Sequence, residues 1–470
     1  MTREPAAGGR RSSAPAVGDG PGHAERPGHA ERAGESLVSS DVRRHNLSLV
    51  ARSILEHGPG SRSRLADATG LTRGSVTALT AALLEAGVLR EVPPKPAAST
   101  RAVVHSGTTR PRFDGTHDAF PAGTDTQASR SAHRGRPLTL LELAADDTAV
   151  LVLQLDADQA IAELSTIAGE VLTRTARHHG RPMGEPDAVL DVLADVLTEA
   201  LDLAANLGRR VADTTVIAFA PVHGDPPVVI ADTDLAWGRV DVIAGLRARE
   251  PRLDASATLR SDSPLAAVAE LRALGAAPAA IRDLVYLKSN SGIGGAVLID
   301  GRIVDGARGM AGALGHLPIV PDGERCACGQ RGCLVTVAGP DAVLTTAGMG
   351  EALERDGLGT TLDAFVARVQ AGEIAAVEAW EAAASWIARA LQILAGTLDP
   401  QVIVLGGYWV PLISTIDRCF RLDRPDVAGI DAETTPRILP GILGERAALL
   451  GASQLARERL LVDPLALAAR

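Results

Sequence analysis

Three of the four cysteines in this 470-residue chain are crowded into Cys326-Ala327-Cys328 and Cys333, shortly downstream of His316. No other feature constrains the chain so tightly. A secreted disulfide scaffold distributes an even number of cysteines as a framework, whereas three thiolates and one imidazole in a short segment complete a tetrahedral set for zinc. Soft sulfur ligands favour zinc over magnesium or calcium, and four protein ligands leave no position for a catalytic water. The spacing therefore predicts one structural zinc ion per chain on His316, Cys326, Cys328 and Cys333, with buried unliganded thiols as the alternative. Gly329 and Gly332 stand between the ligands, where the chain must turn tightly. Cys419 stands alone and reads as an ordinary buried thiol.

Such cysteine usage suits a reducing compartment. The first residues are charged and rich in Gly and Pro, with no apolar segment after their arginines, so no export signal is visible and a cytoplasmic protein is expected. The longest apolar runs, such as Val150 to Leu153, are far too short to cross a bilayer, which excludes a membrane-spanning class. The length points to two or three folding units.

Net charge is −10, yet formal charge sums to −1 over residues 1–42, +7 over residues 43–136 and −16 over residues 137–470. A basic head thus precedes an acidic body that would repel a polyanion, so nucleic-acid contact is expected in the head alone. The basic residues are nearly all arginine, with lysine only at 95 and 288. That bias reads as codon usage, although arginine is the better ligand for phosphate and guanine.

Residues 1–40 hold almost no large apolar side chains and are expected to stay disordered. Beyond them Leu47, Val50, Ala51, Ile54 and Leu55 fall on one helical face, which ends at Gly58-Pro59-Gly60. Ser61 can cap a short helix running to Thr69. Gly70-Leu71 makes a turn, Thr72 can cap the next helix, and Val76, Leu79, Leu83 and Leu84 give that helix an apolar stripe ending at Gly87. This is the helix-turn-helix plan. It leaves Arg73, Ser75 and Thr77 on the outer face to read bases, with Arg62 and Arg64 placed for phosphates. The competing reading is a protein-contact module, and the positive charge favours DNA. Residues 93–136 show no periodicity and read as a flexible insert whose arginines could add nonspecific DNA contact.

Strand-like runs follow at Val150 to Leu155, Thr215 to Phe219, Leu284 to Leu287, Ala296 to Ile299 and Val402 to Leu405. They are interleaved with helical patterns such as Glu185 to Leu207 and Val377 to Leu398, which argues an α/β body. Ser291-Gly292-Ile293-Gly294-Gly295 lies between two strand-like runs, so the strand-turn-helix order of a dinucleotide fingerprint fails and a glycine-rich hairpin loop is expected instead. Gly406-Gly407 is a strand-end turn where backbone can approach a ligand.

From about Arg43 onward the chain resembles the ROK family, which groups sugar-responsive bacterial repressors with sugar kinases. In the head the resemblance rests on Ser61-Arg62, Leu65-Ala66, Thr69-Gly70-Leu71, Ser75-Val76-Thr77 and Leu83-Leu84-Glu85-Ala86-Gly87. Gly135-Arg136-Pro137 resembles the return of the wing, which places the insert inside the wing and Arg136 near phosphates or the minor groove. In the body it rests on Ala311-Gly312-Ala313-Leu314-Gly315-His316, Cys326 to Leu334, Asp399-Pro400, Val402 to Gly407 and Gly451-Ala452. The implied fold is an α/β chain: an N-terminal winged helix-turn-helix, then a two-lobed, actin-like, sugar-kinase-like body. Its expected limits are a tail at 1–40, a DNA-binding head at 41–143 with the insert at 93–136, and a body at 144–470. The body divides into lobes at about 144–275 and 276–470, with the terminal helix packing back on the first.

The departures from the family pattern bear on function. Family kinases place an Asp-x-Gly-x-Thr phosphate loop after the first strand, and the corresponding stretch here is Asp156-Ala157-Asp158-Gln159. Without the glycine the backbone cannot wrap a phosphate, and Asp158 adds repulsion, so no kinase activity is expected. Asp262 matches the family's sugar-hydroxyl base, but Ser261 replaces the usual asparagine before it. Ala313 and Val335 stand where glutamates that hold sugar hydroxyls are expected, so the resemblance implies a changed or lost effector. Ser261, Asp262 and His316 remain the candidate effector contacts. The resulting expectation is a non-enzymatic transcriptional regulator, a repressor that binds double-stranded DNA as a homodimer or larger oligomer. Its zinc-clipped body would serve dimerisation and the sensing of a sugar-like effector. The alternatives are a sugar kinase with a DNA-binding appendage and a dimerisation scaffold with no effector.

Overall fold

The computed structural model describes residues 39–93, 139–144, 146–180, 184–230, 237–274, 281–422 and 435–468. Nearly all of the expected tail and insert, together with Arg136, lie outside the described residues. Residues 43–470 pack as one compact unit; of the preceding unit, residues 39–42 are described and open the first helix.

The head consists of α1 (Ser39–His57), α2 (Arg62–Thr69) and α3 (Arg73–Glu85), followed by β1 (Leu89–Val92) and β2 (Leu140–Leu143). Ser61 Oγ accepts the Arg64 N–H at 3.3 Å to start α2, and Thr72 Oγ1 accepts the Ser75 N–H at 3.1 Å to start α3. Such caps satisfy donors that have no partner inside the helix. Gly70, at φ 69°, takes the left-handed conformation that the turn between them requires. Val50, Ile54, Leu65, Val76, Leu79 and Leu83 converge on one core. β1 and β2 pair antiparallel, with Leu89 opposite Leu143 and Arg90 opposite Glu142. Three helices and a two-stranded ribbon give the winged helix-turn-helix arrangement. Its core is not closed on itself: Ile167, Leu461 and Leu467 belong to the same apolar cluster.

The body opens with β3 (Thr148–Leu155), β4 (Gln159–Thr166), β5 (Val171–His178), α4 (Pro186–Asn206) and β6 (Arg210–Ala218). It continues through β7 (Val222–His223), β8 (Val228–Val229), α5 (Val242–Arg249), β9 (Thr258–Ser261) and α6 (Asp262–Leu274). The first sheet has the order β5-β4-β3-β6-β9, antiparallel from β5 to β3 and parallel from β3 to β9. Next come β10 (Leu284–Ser289), β11 (Ile293–Ile299), β12 (Arg302–Ile303), α7 (Val335–Ala338) and α8 (Pro340–Thr346). They are followed by α9 (Gly350–Asp356), α10 (Leu358–Gln370), α11 (Ile374–Leu398), β13 (Val402–Gly407), α12 (Ile413–Leu422), β14 (Arg437–Pro440), α13 (Ala447–Leu460) and α14 (Leu465–Ala468). The second sheet, β12-β11-β10-β13-β14, repeats the strand order and the directions of the first.

Side chains alternate across a strand, and here both faces are covered. Leu151, Leu153 and Leu155 of β3 face a core completed by α4 and α5, while Val150 and Val152 face a second core. In the other sheet Val285 and Leu287 face the helices α7 to α12, while Leu284 and Tyr286 face that same second core. The shared layer is filled by α6 and α13 through Leu265, Ala266, Ala448, Leu449 and Ala452. Polar ties hold α13 in place: Arg459 donates to both oxygens of Asp213 on β6, and Arg446 pairs with Glu163 on β4 at 3.1 Å.

At Gly451 the two helices meet backbone to backbone, because any Cβ there would fall inside the contact radius of the Leu265 carbonyl oxygen. Forcing extra atoms into a filled layer costs about 1–3 kcal/mol. Gly451→Ala is therefore expected to lower stability by about that amount in chemical denaturation, and an unchanged midpoint would show that the helices can part without cost.

Candidate functional site

The head presents its polar face at the start of α3. Arg73, Ser75 and Thr77 are exposed while Val76 and Leu79 point inward, so the face follows directly from the helical period. Two hydroxyls also serve the helix itself: Ser75 Oγ lies 2.9 Å from Thr72 Oγ1, and Thr77 Oγ1 donates to the Arg73 carbonyl at 2.8 Å. Arg64 is exposed beside them. Arg62, part-exposed, is also engaged within the head: its guanidinium donates to Thr80 Oγ1 at 3.2 Å and to Glu91 on β1 at 3.1 Å. It ties α2 to α3 and the ribbon.

His316, Cys326, Cys328 and Cys333 are brought together, with one ligand atom from each lying within 4.8 Å of the others. Cys326 Sγ is 3.6 Å from His316 Nδ1, and Cys328 Sγ is 3.6 Å from Cys333 Sγ. A tetrahedron with metal–sulfur bonds near 2.3 Å has edges of roughly 3.5–3.8 Å, so the donor set fits a closed four-coordinate metal. Local backbone bonds build the loop: Cys326 N–H donates to Gln330 O at 2.8 Å and Gly329 N–H to Cys326 O at 2.9 Å. Gly329 (φ 93°) and Gly332 (φ 70°) adopt the conformations that these turns demand.

Between the two sheets lies a cleft of about 460 Å³ whose walls include Asp156, Ser261, Asp262, Lys288, Ala313 and His316. His316 thus borders both the cysteine cluster and the cleft. Ser261 is occupied: its hydroxyl donates to Ala220 O at 2.9 Å and accepts the Val222 N–H at 3.1 Å, which ties the end of β9 to the neighbouring loop. Of the two positions where glutamates were expected, Ala313 lines the cleft and Val335 packs against the core of the second sheet. Gly294 and Gly295 are not loop residues but part of β11. A Cβ at Gly294 would meet Ser263 Oγ at 2.5 Å and one at Gly295 would meet Leu314 Cδ1 at 2.5 Å, so these glycines are required by close packing.

The residue missed from sequence is Lys288. Its ammonium lies 2.5 Å from Asp262 Oδ2, and Ser263 Oγ donates to Asp262 Oδ1 at 2.9 Å. Burial alone would lower the lysine's pKa, but Asp262, Tyr286 and Asp156 outweigh it and hold it above the ordinary range. Asp156 at the end of β3 accepts the Ala157 N–H at 2.9 Å, yet burial pushes its carboxyl up against the opposing pull of Lys288. The stretch from Asp156 to Gln159 is a tight β3–β4 turn closed by Asp156 N–H donating to Gln159 O at 2.9 Å. Among the described residues, no helix is long and apolar enough to cross a membrane.

A family model described as ROK family matches residues 157–459, and the chain belongs to that family. An N-acetylmannosamine kinase of Citrobacter koseri is 34% identical over 147 residues, covering 31% of this chain and 48% of the relative. One from Salmonella paratyphi B is 35% identical over 147 residues, covering 31% and 47%. The chain spans about half the length of the curated relatives it matches. Among solved structures, a ROK family transcriptional regulator described as a homologue of the E. coli Mlc protein aligns with a TM-score of 0.64 at 21% identity, covering 90% of this chain and 98% of that one. A ROK family glucokinase from Streptomyces griseus, in complex with glucose and AMPPNP, aligns with a TM-score of 0.53 at 22% identity, covering 66% and 99%. Both likenesses show the fold.

A buried acid whose pKa rises on folding contributes stability that is present at low pH and is lost as pH climbs from its unfolded value of 3.8 through its raised folded value. Asp156→Asn is accordingly expected to flatten the pH dependence of Tm over that interval and to raise Tm at neutral pH. A lower Tm at neutral pH would mean that the ionised carboxylate is stabilised where it stands.

Proposed function

We propose that this ROK-family chain is a cytoplasmic, DNA-binding transcriptional repressor whose body has no phosphoryl-transfer activity. The observation that carries the reading is the exposed N-terminal face of α3, where Arg73, Ser75 and Thr77 project from a helical head in the basic part of the chain. Arginine can engage guanine at two atoms, and the hydroxyls can bond to base edges or phosphates while keeping their helix contacts. Arg62, Arg64 and Arg136 would hold phosphates or enter the minor groove, Arg62 while also holding α2 against α3. Residues 41–143 carry the DNA-binding role and residues 144–470 form the dimerising, sensing body. Two heads on a symmetric dimer call for a roughly palindromic site. The coverage of the regulator-like solved structure, 90% of this chain against 66% for the glucokinase, supports this reading.

His316, Cys326, Cys328 and Cys333 hold zinc in this proposal. With four protein ligands the ion would stabilise the loop and supply no bound water for catalysis. Because ligand binding and folding are coupled at such sites, chelation should lower Tm, and freshly purified protein should contain one zinc per chain by elemental analysis. In Cys328→Ser the zinc content should fall. Zinc-free wild-type protein with an unchanged Tm would refute the assignment.

A kinase reading draws on the names of the curated relatives. Against it stand the turn at Asp156-Ala157-Asp158-Gln159, which lacks the glycine a phosphate cradle needs, and the engagement of Asp262 by Lys288. ATP turnover with a hexose that vanished in Asp262→Asn would rescue it. A body with no effector is the third reading, distinguished by the absence of any small molecule, sugar derivatives included, that raises Tm.

The main test is a gel shift against genomic fragments at several salt concentrations. Binding should weaken steeply with salt, and Arg73→Ala should lose about 1–3 kcal/mol of discrimination between operator and unrelated DNA. Salt-insensitive binding, or discrimination unchanged in Arg73→Ala, would sink the proposal.

A further inference from the structure

Lys288 is one of only two lysines in the chain, and it stands in an otherwise apolar stretch of β10, the central strand of the second sheet. Its partner Asp262 follows β9 of the first sheet without a break and opens α6. The pair therefore spans the cleft from one sheet to the other. With side chains 15% and 9% exposed, neither charge is well served by water, and each depends on the other.

Asp262 lines the cleft, and each of its oxygens already accepts a bond from the chain, one from Lys288 and one from Ser263. A neutral hydroxyl that displaced the ammonium would exchange an ion pair for a hydrogen bond with only one charged partner and would strand a largely buried cation.

We propose that Lys288 is a resident substitute for a ligand: it occupies Asp262, shuts neutral polyols out of the cleft, and braces the two sheets across it without any small molecule. The inference deepens the reading of a body without phosphoryl transfer. It adds a block at the acceptor end of the cleft that is independent of the altered turn at residues 156–159. It also states the specificity of the cleft: hexoses that would need a free Asp262 are refused by Lys288.

The presence of only two lysines makes the test direct. In protein labelled with nitrogen-15 at lysine, the ammonium of Lys288 should give a slowly exchanging signal. The signal should be lost in Asp262→Asn and unmoved by millimolar glucose or N-acetylmannosamine. In Lys288→Met, which frees Asp262, the same sugars should raise Tm, and the rise should disappear when Asp262→Asn is added. A wild-type Lys288 signal that exchanges as fast as a free lysine ammonium, or that shifts with either sugar, would overturn the proposal. So would a Lys288→Met protein as indifferent to sugars as the wild type. If that variant does not fold, the wild-type spectrum still decides. Gel shifts on the same wild-type preparation keep the two ideas apart: failure to bind DNA would count against the regulator reading and leave the status of Lys288 to the spectrum.

Discussion

The body of this protein depends on two helices that lie close enough for one glycine to touch a backbone carbonyl. α6 and α13 fill the layer between two sheets, and each sheet buries one of its faces there. Neither sheet could close that face alone. Because the layer is shared, the elements that frame the cleft are set by the same packing that stabilises the fold: β9 runs straight into α6 at Asp262, and β10 brings Lys288 opposite. The site is thus a by-product of the core, and its geometry is as stiff as the layer behind it.

Much of the head was legible because its signals are local. Caps, a left-handed glycine and a 3.6-residue apolar stripe all operate within a few residues, and Ser61, Gly70, Thr72 and Val76 do what their chemistry dictates. The central strands were legible for the related reason that full burial on both faces leaves a run of apolar residues, as in β3 and β10. β5 was not, because most of its residues, including Thr173, Arg174, Thr175 and Arg177, are partly or fully exposed at the sheet edge and carry polar side chains. α6 was missed because it follows β9 with no turn to announce it. The repeated strand order could not be read at all, since it resides in hydrogen-bond pairing and not in any recurring residue pattern.

The candidate site divides along the same line. The four metal-binding candidates lie within one short segment, where residue type and spacing suffice. Asp262 was found through family resemblance, but its engagement with Lys288 joins residues on different sheets, and only the fold brings them together. A signal did exist: a lysine inside an apolar strand, in a chain that otherwise uses arginine. Composition alone explained it away as codon bias. Arg62 shows the converse, a side chain whose bonds to Thr80 and Glu91 within the head its position in the sequence did not announce.

The head draws part of its hydrophobic centre from the far end of the chain, through Leu461 and Leu467, and Arg52 reaches the carbonyl of Glu458. It is therefore not a bead on a string. Transplanting the head by a simple cut near residue 143 would leave it with an open side, so any workable chimera has to carry residues 458–467 along with it.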